Sequence, residues 1–159
     1  MGSAYIHPMS GDRSTPELRA QTRARLAPGA SLGVTEEMIH ALVHGFYARV
    51  RADAVLEPIF GGLIADWDPH LDRMVDFWSS VMLMTGRFKG QPMAVHVRIP
   101  GLEGAHFERW LGLFRETAAE VCPAEAATAF VARAETIAQS FQLGIAHSRG
   151  ELPPLKAPA

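Results

Sequence analysis

Apolar positions recur at helical spacing along the chain from Thr35 onward. Ile39, Leu42, Val43, Phe46 and Val50 lie three or four residues apart where they step around one face, the period of an amphipathic α-helix. Thr35 precedes them as a hydroxyl cap, and Glu36 and Glu37 follow at the positive helix end. The run Leu56-Glu57-Pro58-Ile59-Phe60-Gly61-Gly62 interrupts the pattern and predicts a short turn or corner. Asp68-Pro69 restarts it, with Asp68 as cap and Pro69 at the first helical position, and this amphipathic helix stops near Gly86. A looser stretch follows, with room for one short helix between Pro92 and Pro100. Two longer helices are expected over roughly 104–121 and 123–148, separated at Cys122-Pro123. Period-two alternation bounded by turns is not visible at length, so the expected fold is all-α.

The first 34 residues have a different texture. Ser14-Thr15-Pro16-Glu17 offers a cap, a first-turn proline and an early carboxylate, which suggests a short helix near 16–27. Pro28, Gly29, Ser31 and Gly33 read as a linker behind it. Arginines at 13, 19, 23 and 25 could meet an anionic partner, although a solvated helix or frayed extension is the plainer reading of such a charge run. The expected division is an extension over 1–34, a folded unit over 35–148 and a tail over 149–159.

Composition narrows the class. At 159 residues the chain suits one domain with a core that needs no disulfide. Its lone cysteine, Cys122, excludes an intramolecular disulfide and an all-cysteine metal site. A net charge of −2 supplies no broad basic field for nucleic acid. No apolar run reaches the roughly 18 residues of a membrane span, and the N-terminus lacks the apolar middle of a secretory signal. A cytoplasmic protein is the expectation.

Most familiar chemistries find no foothold. Of the seven histidines only His40 and His44 have the i, i+4 spacing of two ligands on a helix face, and no HExxH surrounds them. Surface or packing roles suit that pair better. Ser79-Ser80 lies outside any GxSxG context, Cys122 reads as a small buried hydrophobe, and no glycine-rich phosphate loop is present. What remains is a set of polar aromatic residues on apolar helix faces: Tyr47 beside Phe46, His70 ahead of Met74, Phe77 and Val81, Trp110 among Phe107, Leu111 and Phe114, and His96 in a proline-bounded segment. Singly, each is more often a core residue than a ligand. As a set they suit an apolar cavity with one imidazole for a metal, as a flat cofactor such as haem requires.

The stretches FYARVRADAVLEPIF (46–60), HLDRMVDFWSSVMLMTGRFKGQPMAVH (70–96) and FERWLGLF (107–114) resemble the truncated haemoglobins, group III in particular. The double-glycine motifs of groups I and II are missing, since Gly86 and Gly90 stand apart, and this favours group III. The resemblance covers about residues 35–148 and implies a two-over-two helical sandwich around haem b. It implies His96 as the proximal iron ligand, with Tyr47, His70 and Trp110 on the distal side. Arg73, one turn beyond His70, could reach a haem propionate, and Phe46, Phe60, Phe77, Trp78 and Phe114 would be pocket walls or core. Trp67 and Trp78 carry no assigned chemistry beyond packing.

Such a protein is expected to bind O₂, NO or CO, with the phenol, indole and imidazole as hydrogen-bond donors to the ligand. Several donors together imply tight holding, which argues against simple oxygen delivery. An enzyme reading, nitric-oxide dioxygenation or a peroxidase-like reaction, uses the same residues but requires an external reductase, because no flavin or NAD motif occurs here. A sensor would use residues 1–34 as its output element.

Overall fold

The structure, a computed structural model, describes residues 15–151. Arg13 and the Pro-containing tail from residue 152 lie outside the described residues. Seven α-helices follow one another among the described residues: α1 (Pro16–Leu26), α2 (Glu36–Ala52), α3 (Glu57–Phe60), α4 (Trp67–Leu83), α5 (Pro92–His96), α6 (Gly104–Val121) and α7 (Ala124–Ser148). The fold is all-α, as the periodicity indicates.

Local chemistry sets most of the boundaries. Thr15 and Thr35 cap α1 and α2 by accepting the backbone N–H of Leu18 and Met38, each at 3.2 Å. Asp53 closes α2 and starts the next corner: its Oδ1 accepts from Val55 and Leu56 N–H at 2.9 and 3.1 Å, and its Oδ2 accepts from Arg109 Nε at 2.7 Å. Glu103 and His106 cap α6 reciprocally, each side chain receiving a backbone N–H at the helix start.

Two boundaries differ from the sequence expectation. Helix α4 begins at Trp67 behind Asp66, so Asp68 is not its cap and Pro69 occupies the third helical position. A proline is tolerated there because the first N–H groups of a helix have no intrahelical partner. The same helix ends before Gly86, at Leu83, with Met84 in the left-handed region at φ 54°.

Helices α2 and α4 form one layer and α6 and α7 the other, joined where α2 crosses α6. The apolar stripe of α2 that was read from its spacing is the buried one: Ile39, Leu42, Val43, Phe46 and Val50. It meets Leu71, Trp78 and Met82 of α4, Leu113 and Phe114 of α6 and Phe130 of α7. Burial contributes about 1.5–3 kcal/mol for each large apolar side chain, and the mutual locking of these helices fixes the frame for the cavity beside them.

Helix α1 buries no residue. The segment after it is a docked strap, where the sequence suggested a linker. Ala27 and Val34 are buried, and Gly29 N–H donates to Met82 O at the end of α4 at 2.8 Å. A Cβ at Gly29 would stand 2.8 Å from Val34 Cβ and 3.0 Å from Met82 O, so glycine is what permits this approach.

Candidate functional site

Beside the core lies a cavity of about 650 Å³, within the range of cofactor sites and walled largely by apolar and aromatic side chains. Tyr47, Phe60, His70, Arg73, Phe77, His96 and Trp110 all line it. The tertiary structure thus gathers residues from five helices onto one surface. Phe46 and Phe114, expected as cofactor contacts or core, are not on that surface. They stand one layer behind, where Phe46 meets Tyr47 and Trp110 edge-on and Phe114 stacks on Trp110 and Trp78.

His96 sits at the end of α5, a helix that Pro92 can open because its ring matches the first-turn backbone. The His96 Nδ1–H donates to the carbonyl of Pro92 at 2.7 Å, and since a carbonyl only accepts, the proton on the ring is placed at Nδ1. Nε2 is left as a bare lone pair with no protein partner among the described residues. Burial pushes the imidazole below its ordinary pKa, partly opposed by the Pro92 bond, so the neutral, ligating form is favoured. The ring stacks on Phe141 of α7 with centroids 4.2 Å apart.

Tyr47, His70 and Trp67 form a second aromatic cluster, with His70 edge-on to both other rings. Tyr47 lies 5.3 Å from His70 and 6.0 Å from Trp67, centroid to centroid. Burial pushes the Tyr47 phenol up, so it remains an O–H donor at any physiological pH. His70 is held below its ordinary pKa, first by burial and then by the positive charge of Arg73, with His96 adding to this only when it is itself protonated, so His70 is neutral near pH 7. None of the three donors Tyr47, His70 and Trp110 has a hydrogen-bond partner among the described residues. Trp67, off the cavity surface, carries the Arg51 guanidinium 4.6 Å above its ring.

Cations stand on the lining as well. The Arg73 guanidinium lies 5.9 Å from the Phe88 ring centroid, and Arg98 and Gln91 line the same cavity. Arg98, Phe88, Ile99 and Phe141 were not singled out in the sequence. Phe141 carried a signal, as one of two phenylalanines on a long amphipathic helix, but spacing alone cannot say which helix it faces. His40 and His44 stack on each other at 4.0 Å outside the cavity, and no group of three potential metal ligands occurs among the described residues. Cys122 is buried, and burial raises its pKa, so it is a poor thiolate. Among the described residues no helix is long and apolar enough to cross a membrane.

These features fit haem by their donor chemistry. One imidazole offers a bare Nε2, the walls are aromatic, and guanidinium groups on the lining suit a dicarboxylate. No protein-family model matches the chain. It is 34% identical over 113 residues to the group 3 truncated haemoglobin ctb of Campylobacter jejuni, covering 69% of this chain and 89% of that protein. The crystal structure of the group III truncated haemoglobin from Campylobacter jejuni superposes with a TM-score of 0.66 at 34% identity, with the same coverage of 69% and 89%. The 2/2 haemoglobin from Synechococcus sp. PCC 7002, solved in the cyanomet state with covalently attached haem, gives 0.63 at 21% identity over 76% of this chain and 98% of its own, which speaks for the fold alone.

Fold and cavity together define a two-over-two globin. Within that class the chain belongs to the group III truncated haemoglobins, and with them it is a haem-binding globin.

Proposed function

We propose that the cavity takes haem b through His96 Nε2 and that the chain holds O₂ tightly at the opposite wall, with NO and CO as further ligands. The observation that carries this reading is the Nδ1–H bond of His96 to Pro92, which leaves a bare Nε2 on a cavity that three unengaged donors also line. When bound, the haem iron supplies the site at which a diatomic ligand attaches.

The chain's own residues supply the rest. Tyr47 keeps its phenolic proton and can donate it to a ligand atom that carries negative charge. Trp110 has only a donor to offer through its indole N–H, and neutral His70 has one donor and one acceptor nitrogen. Phe60 and Phe77 exclude water from the same space, which strengthens each hydrogen bond made there. Arg73 is assigned to a haem carboxylate, since its guanidinium lies on the lining and can form two parallel bonds to such a group. The folded unit that does this is assigned to residues 35–148.

The test has two readings. A pyridine haemochrome spectrum of the purified, haem-loaded protein identifies haem b or excludes it. Stopped-flow dissociation of O₂ from the ferrous protein then measures holding, with slow release expected and fast release removing the tight-holding half of the reading.

A further inference from the structure

Helix α5 meets α7 through two contacts in antiparallel register. His96 stacks on Phe141, and Met93, one turn earlier on α5, packs on Gly144, one turn later on α7. Both pairs use i, i+3 neighbours, which share a helix face. At Gly144 a Cβ would overlap Met93 Sδ and stand 3.2 Å from Cε and 3.5 Å from Cγ, so the flexible thioether is seated on the glycine and must leave that seat for any larger residue. Gly144 is helical, and a mid-helix glycine costs about 1 kcal/mol against alanine, so its presence calls for a packing reason. The overlap supplies one.

We propose that Gly144 is the positioning residue for the His96 imidazole: the Met93–Gly144 socket fixes how far α5 approaches α7 and thereby the height and tilt of Nε2 over the cavity. This inference rests on the reading of His96 as the haem ligand. Helix α5 has only five residues, too short to hold its own geometry in water. Its position is therefore set by what it docks on. The Pro92 carbonyl fixes the ring proton, Phe141 supports the ring face, and the socket sets the distance of the whole turn from α7.

The experiment over-fills and empties the socket in the haem-loaded protein. Gly144→Ala displaces the Met93 thioether from its seat between α5 and α7, and Met93→Ala leaves the socket empty. Each is expected to shift the iron–histidine stretch in the ferrous resonance Raman spectrum. Each should also quicken haem transfer to an acceptor globin by about tenfold, the size expected when a supporting contact behind a metal ligand is lost. The double variant Met93→Ala/Gly144→Ala, in which the new methyl occupies the space the thioether left, should return both readouts toward wild type. An unchanged stretch and unchanged haem transfer in both single variants overturns the proposal. Failure of the double variant to recover also overturns it, because the two residues would then not act through one shared volume. Should Gly144→Ala not fold, Met93→Ala and the double variant decide alone. A His96→Gly control separates the two layers of argument: if the stretch survives in that variant, the ligand assignment has failed rather than the socket.

Discussion

On the α5 side of the cavity the key imidazole is engaged on almost every side: Nδ1–H bonds Pro92, the ring face rests on Phe141, and the helix below it is seated on Gly144. On the α2–α4–α6 side Tyr47 and His70 meet edge-on, Trp110 packs on Phe46 and Phe114, and none of the three donors has a hydrogen-bond acceptor among the described residues. These three side chains are only half-buried, and the fully buried side-chain nitrogen without a partner among the described residues is His44 Nε2, off the cavity. One wall therefore uses its hydrogen bonds to fix geometry. The other presents its donors unpaired to the cavity, and in the proposed reading a ligand able to accept them takes the place of water there.

The largest effect should come from breaking the fixed wall. His96→Gly should lose haem, or retain it only with added imidazole, as followed by the Soret band during gel filtration. A normal spectrum with undiminished retention would remove His96 as the ligand. The open wall should respond through ligand release instead. Tyr47→Phe keeps the ring packing and deletes one donor, so O₂ dissociation should quicken roughly tenfold for a bond of about 1–1.5 kcal/mol. Trp110→Phe should act in the same direction, and the double variant should be non-additive if both donors serve one ligand atom. Unchanged rates in both single variants would mean that these donors do not face the ligand.

A smaller effect is the dependence of stability on pH. His70 has a lowered pKa in the fold, so below its ordinary value of 6.5 the unfolded chain binds the proton more readily than the folded one. The stability of the protein without haem should fall as pH drops from 6.5 and level off once the folded-state pKa values are passed, with His96 contributing in the same sense as His70. His70→Leu should keep haem and flatten that slope in urea-midpoint measurements, whereas an unaltered slope would show that His70 is not the group responsible. The smallest expected effect lies in the extension. A chain beginning at Ala27 should keep both walls and the melting temperature. One beginning at Thr35 should keep the haem spectrum but melt lower, by about 2–4 °C for each kcal/mol lost, because it lacks the buried Val34 and the Gly29–Met82 bond. A changed O₂ affinity in either truncated chain would show that the extension reaches the ligand wall.

The helices were legible because their information is local. Thr35 with its following glutamates, the α2 stripe and the Cys122-Pro123 break each act within one or two turns, and the structure repeats them with small shifts at Asp66 and Met84. The group III pattern was equally legible, and His96 stood out through its short proline-bounded segment. Less legible was which aromatic faces the cavity. Phe46 and Tyr47 are adjacent in sequence, yet a helix turns about 100° per residue, so Phe46 enters the core while Tyr47 lines the cavity.

Sequence alone thus determined that this chain forms amphipathic helices, that they suit a globin of the shortened class, and that one imidazole and three donors are available. Tertiary structure decided the pairings: Phe141 under His96, Met93 in the space of Gly144, Arg98 on the lining, and the strap of Ala27–Val34 on α4. The division has one physical cause. Periodicity records that a face avoids water, a property of each segment by itself, whereas the partner of that face is chosen by shape and volume between segments far apart in the chain.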